Sequence, residues 1–93
     1  MPKTSKELIN KAEQILSCVY QEDIFGIGTK EDVVKEQEIS LVERFEKDLD
    51  AYTLHFSEES VPYQRIQANR WILDGRRVST QHIQNIIDIL KEL

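Results

Sequence analysis

The side chains able to do chemistry are few. His55 and His82 are the only imidazoles, and Cys18 is the only thiol. A metal ligand or a general base needs partners at set spacing and reach. Neither histidine has a His, Cys or Asp neighbour in such a pattern. His55 falls in a segment that alternates like a strand. His82 falls in the first turn of a helix, the usual place of an ordinary exposed histidine. Asp48 and Asp50 read as solvated helix face. No nucleophile elbow, His-Glu-x-x-His pair or kinase-like set occurs. Gly26-Ile27-Gly28-Thr29-Lys30 superficially suggests a phosphate loop, whose backbone N–H groups bind anions before a helix. The full Gly-x-x-x-x-Gly-Lys-Ser/Thr spacing is missing, so the segment reads as a flexible glycine connector. Cys18 lies on a helix flank with no activating base in a motif and reads as a structural thiol. The expectation is no catalytic residue, no metal ligand and no cofactor.

The charged and aromatic residues are more informative. Between Val61 and Val78 stand Arg65, Arg70, Arg76 and Arg77 against one acid, Asp74. Tyr63, Trp71, Gln64, Gln67 and Asn69 are interleaved with them. Arginine forks and aromatic faces on a sheet can hold phosphates and stack bases. The same residue types dominate protein-binding hot spots. A third outcome is that the aromatics are core and the arginines pair with acidic helices. The second feature is an acidic helix face built from Glu36, Glu43, Glu46 and Asp50. Such a face is commonly just solvated. It can also dock onto a basic groove, as a nucleic-acid mimic does.

These residues need elements to position them. A first helix is expected over residues 5–21. Leu8, Ile9, Ala12, Ile15, Leu16 and Val19 form one apolar stripe at helical period. Thr4 and Glu7 form its capping box. After the two glycines, Thr29 would cap another helix with Asp32 as box partner. Val42, Phe45, Leu49 and Tyr52 favour a second helix over residues 38–51, with a short strand at 33–37 as the alternative for the segment before it. Alternation then predicts strands at 52–56 and 61–67, with Pro62 suited to an edge. A third strand, 70–73, turns through Asp74-Gly75 in a type I′ hairpin and returns along 76–78. Residues 80–93 form the last helix, capped by Ser79, with Val78 stapled on Ile83. The fold class is α+β: helix, second helix, antiparallel sheet of three or four strands, helix. Helices on one face would leave the other to solvent or a partner.

Ninety-three residues hold one such domain, residues 1–93. Surface scaling gives about 5,600 Å² of folded surface. Hydrophobic residues are 40% and charged residues 31%, a globular mixture that excludes collagen-like and plainly disordered classes. A single cysteine excludes an internal disulfide framework. Met1-Pro2-Lys3-Thr4-Ser5-Lys6 leads into no apolar signal core, and no stretch approaches the roughly 20 apolar residues of a spanning helix. The expected compartment is the cytoplasm, of a host cell if the gene is viral, with no membrane contact. Net charge is −5, which argues against a generic nucleic-acid coat. Its distribution is uneven. Residues 1–60 carry 14 acids and 7 bases, and residues 61–93 carry 3 acids and 5 bases.

Val61-Pro62-Tyr63-Gln64-Arg65-Ile66, with Asp74-Gly75 downstream, resembles a signature of the RNA cyclic-group end recognition domain family. Val34-Lys35-Glu36-Gln37-Glu38-Ile39 loosely matches the preceding segment. Gln64 stands where that family has histidine, and a long C-terminal helix follows where the family tends to end. The resemblance implies a small domain binding terminal RNA phosphates, with Arg65 as a phosphate contact. Tyr63 and Arg70 would share that surface.

Two functional expectations follow. The first is a non-enzymatic protein-binding module, in which Glu43, Glu46 and Asp50 steer onto a basic partner. Trp71, Arg76 and Arg77 then make a second contact. Such charge polarity also permits a homodimer. The second is RNA-end binding through Tyr63, Arg65 and Arg70.

Overall fold

The computed structural model describes residues 4–93. Met1 to Lys3, part of the start read above as leaderless, lie outside the described residues. The chain is an α+β fold, as expected. Helix α1 (Ser5–Cys18) opens on the anticipated capping box. The Thr4 hydroxyl accepts from the Glu7 N–H at 3.2 Å, and the Glu7 carboxylate accepts from the Thr4 N–H at 3.4 Å. Leu8, Ala12 and Ile15 are its buried stripe. The helix stops three residues before the expected end, because Val19 turns extended and feeds strand β1 (Tyr20–Glu22).

Strand β2 (Glu31–Val33) pairs antiparallel with β1, matching Tyr20 to Val33 and Glu22 to Glu31. The helix expected after Thr29 is therefore absent, and Asp32 is a strand residue. Of the alternative strand at 33–37 only Val33 lies in β2, while Glu36 and Gln37 belong to a 3₁₀ turn. A single 3₁₀ turn (Glu36–Glu38) leads into α2 (Ile39–Thr53). Val42, Phe45, Leu49 and Thr53 face inward from α2.

Two expected strands are not strands. Tyr52 and Thr53 close α2, and residues 54–56 turn away from it. The alternation of Tyr52 and Phe56 is also a helical i,i+4 spacing, and their rings meet edge to face at 5.3 Å. Residues 61–67 lie in helix α3 (Val61–Ala68). Ser60 caps it by accepting from the Tyr63 N–H at 3.4 Å. Pro62 sits in the first turn, where a helix needs no N–H donor. Only Ile66 of this helix is fully buried, so its periodicity is weak.

The third expected strand contracts to β3 (Leu73–Asp74), which pairs with β4 (Arg77–Val78). The hairpin is real, but its central residues are Gly75 and Arg76, since Asp74 pairs with Arg77. Only Gly75 has positive φ, 66°. That is the demand of a type II′ turn, one residue displaced from the type I′ expectation. Ser79 caps α4 (Thr80–Glu92) by accepting from the His82 N–H at 3.4 Å.

The sheet order is β1-β2-β4-β3, antiparallel throughout. Helix α1 packs along α4 and against α2, while α3 packs on α4. Val34 and Val78 enter the same core as Leu8, Phe45, Leu49, Ile72 and the isoleucines of α4. Val33 is fully buried but lies outside that cluster. Its cross-strand partners are Tyr20 and Arg77, so these three share the sheet face opposite the helices. No helix among the described residues is long and apolar enough to cross a membrane.

Candidate functional site

The chemistry-bearing residues remain dispersed. His55 is exposed in the turn after α2, and Cys18 is half-buried at the end of α1. His82 touches the Ser79 hydroxyl through Nδ1, but that serine is the helix cap. His82 also meets Trp71 edge to face, with centroids 6.2 Å apart. Among the described residues no group of three His, Cys, Asp or Glu side chains could hold a metal ion.

The glycine segment is not a phosphate loop, and its backbone closes on a carboxylate of its own. Gly26 and Gly28 have φ of 71° and 86°, which turns successive N–H groups inward. The anion they bind is the chain's own. The Asp23 carboxylate accepts from Gly26 at 2.8 Å, Ile27 at 3.2 Å and Gly28 at 2.6 Å. These bonds, that from Gly28 foremost, hold the Asp23 pKa below its ordinary value. The site a phosphate would need is filled. What the loop presents instead is apolar: Phe25 is 54% exposed and Ile27 74%.

Arg76 and Arg77 sit beneath this tip. The Arg77 guanidinium lies 5.8 Å from the centre of the Phe25 ring, between Glu31 and Asp74 at 3.9 and 3.8 Å. Arg76 donates to the Val34 carbonyl at 3.0 Å and to the Tyr20 hydroxyl. It also lies 2.9 Å from Glu22, an ion contact without hydrogen-bond alignment. Tyr20, Phe25, Ile27, Arg76 and Arg77 thus form one braced surface on the β1–β2 side of the sheet. Trp71, 54% exposed, stands apart from this network beside α4. Sequence reasoning found the arginines and missed Phe25, Ile27 and Asp23. The available signal was a carboxylate three residues ahead of a glycine, a spacing at which Asp caps its own turn.

Three of the four residues of the expected acidic face, Glu43, Glu46 and Asp50, recur at i, i+3 and i+7 along α2. Glu36 lies outside that helix, in the 3₁₀ turn before it. Burial raises the Glu46 pKa, Asp50 and Glu43 raise it further, and Arg70 opposes them. Arg70 bonds Asp50 directly, yet its Nε is buried without a partner. At the end of this stripe the α2–α3 junction opens into a cleft of about 270 Å³. Asp50, Thr53, Leu54, Phe56, Glu58, Tyr63 and Gln67 line it.

Comparison of the chain with protein-family models, curated proteins and solved structures finds no match.

The residues that carry the RNA expectation do not converge. Val61 to Ile66 form most of α3 rather than a strand. Tyr63 lines the acidic cleft. Arg65 pairs with Glu92 at 2.7 Å and borders a different cleft, between α3 and α4. Arg70 is engaged by Asp50.

Proposed function

We propose that the protein is a non-enzymatic protein-binding module, acting as a regulator, inhibitor or adaptor. One observation carries this reading: an apolar loop tip, Phe25 and Ile27, held in shape by the Asp23 carboxylate rather than by burial. Contiguous exposed apolar groups, unlike singly scattered ones, mark interaction surfaces. A loop fixed before contact loses little conformational entropy on docking, so more of the contact energy appears as affinity. Tyr20, Arg76 and Arg77 around it are residue types enriched in binding hot spots. The stripe of Glu43, Glu46 and Asp50 adds long-range attraction toward a basic surface, such as a nucleic-acid-handling enzyme presents.

The test is a photo-crosslinking residue at position 25, with the same residue at exposed position 13 as control. The expected result is one protein adduct specific to position 25. It should survive nuclease and disappear on Ile27→Asp. Equal labelling from both positions overturns the reading. Loss of the adduct on nuclease treatment transfers the case to RNA binding.

A further inference from the structure

We propose that the cleft between α2 and α3 is a binding site for an alkylammonium group, the side chain of a lysine on a partner chain. The site is distinct from the loop surface above.

Four observations converge there. First, the walls combine two aromatic rings, Phe56 and Tyr63, with two carboxylates, Asp50 and Glu58. Ring faces and carboxylates both attract a cation, and an apolar stem can lie along the rings. Second, the cleft lies at the C-terminal end of α2, where backbone carbonyls carry partial negative charge. The last turn of α2 contains no basic side chain to satisfy that end. Third, Glu43 and Glu46 lead along the same helix face toward Asp50, extending the negative potential. Fourth, Leu54 stands at the mouth 80% exposed, an uncovered apolar contact for the ligand's carbon chain.

At Asp50 the geometry favours lysine over arginine. One Asp50 oxygen is already bonded by Arg70, although the side chain remains 62% exposed. A guanidinium fork seeks both oxygens of one carboxylate, whereas an ammonium point charge needs only one from each. The volume, about 270 Å³, falls below the usual range for a drug-sized ligand and suits a single side chain.

The probe is Nα-acetyl-lysine methylamide, titrated into the isotope-labelled full chain and followed by amide and aromatic NMR shifts. Its side-chain-acetylated, neutral counterpart is the control. The expected result is saturable shifts at Leu54, Phe56, Tyr63 and Gln67, with a dissociation constant on the order of 1 mM. The neutral compound should produce none of these shifts. Glu58→Gln and Tyr63→Leu should each weaken binding roughly fivefold or more, by about 1 kcal/mol. Glu13→Gln, exposed on α1 and away from the cleft, should leave it within a factor of two. Equal shifts from the neutral compound, or binding indifferent to both cleft variants, would overturn the proposal. The crosslink at position 25 reads the other surface, so either site can fail without the other.

Discussion

At the scale of single residues, Asp23 determines what the β1–β2 loop can be. Its carboxylate occupies three N–H groups that would otherwise face solvent or a foreign anion. Replacing it with alanine should free those amides. Hydrogen exchange at Gly26, Ile27 and Gly28 should accelerate by tenfold or more, while the melting temperature changes little because the loop is exposed. The pH dependence has a definite sign. Asp23 titrates below its ordinary value of 3.8 in the folded chain. Its contribution is therefore complete above that ordinary value and lost as pH falls through the lower folded value. Amide protection in the loop should hold from pH 7 to about pH 4, after allowance for intrinsic exchange, and then collapse in more acidic solution. Asp23→Asn, which keeps an acceptor oxygen without the charge, should give intermediate protection with no such transition. A flat profile in the wild-type chain would show that the carboxylate does not hold the loop. Phe25 and Ile27 were hard to read as functional because glycine spacing dominates the segment's signal. Only the contact between Asp23 and those glycines distinguishes a rigid display from a connector.

At the scale of elements, helices are legible in the sequence where caps and apolar stripes agree. Thr4 with Glu7 and Ser79 before Ile83 mark the starts of α1 and α4, whose buried faces repeat at helical period. Helix α3 is not legible in that way, because one fully buried residue, Ile66, leaves almost no stripe. There Ser60 and Pro62 decide the matter, the first by capping and the second by accepting a position without a donor. Ser60→Ala should cost about 1 kcal/mol in urea unfolding and fray α3 without unfolding the domain. No loss of stability would mean that packing against α4 alone makes this segment helical. The β3–β4 turn gives a complementary case. Gly75 has φ of 66°, and a Cβ there would meet no atom within 4 Å. Gly75→Ala should therefore destabilise by roughly 1–2 kcal/mol through backbone strain alone. Gly75→Asn should recover little of it, since the first central position of a type II′ turn calls for glycine. Asp-Gly marked the hairpin correctly. It could not reveal that the turn centres on Gly75 and Arg76, because register depends on pairing with β2 as well.

At the scale of the whole molecule, folding partly cancels the charge asymmetry of the chain. Arg70 with Asp50, Arg76 with Glu22 and Arg77 with Glu31 each join the basic last third to the acidic remainder. The shape is elongated, 44 × 24 × 18 Å, and the 5894 Å² of surface exceeds the scaling expectation. These pairs are partly exposed to water, where each contributes about 0–1 kcal/mol. The stripe on α2 is cancelled only in part: at the half-buried Glu46, burial and the charges of Asp50 and Glu43 act against Arg70. Glu46 binds its proton more readily folded than unfolded, opposite in sign to Asp23. Its ionisation therefore opposes folding, and the penalty develops as pH rises from 4.5 through the raised value. Glu46→Gln should raise the melting temperature at pH 7, and the gain should vanish near pH 4. If the stripe also steers a basic partner, the same substitution should slow association at low salt, with the difference closing as salt screens the field. On the proposed function dissociation should change little, because contact energy is assigned there to the tip residues Phe25 and Ile27 rather than to the stripe. Thermal melts at pH 4 and pH 7, with stopped-flow association against the crosslinked partner, separate the two effects. A more stable variant that associates at the wild-type rate would mark the stripe as uncompensated repulsion with no role in docking. A variant that is no more stable would remove the burial of Glu46 as a cost to the fold.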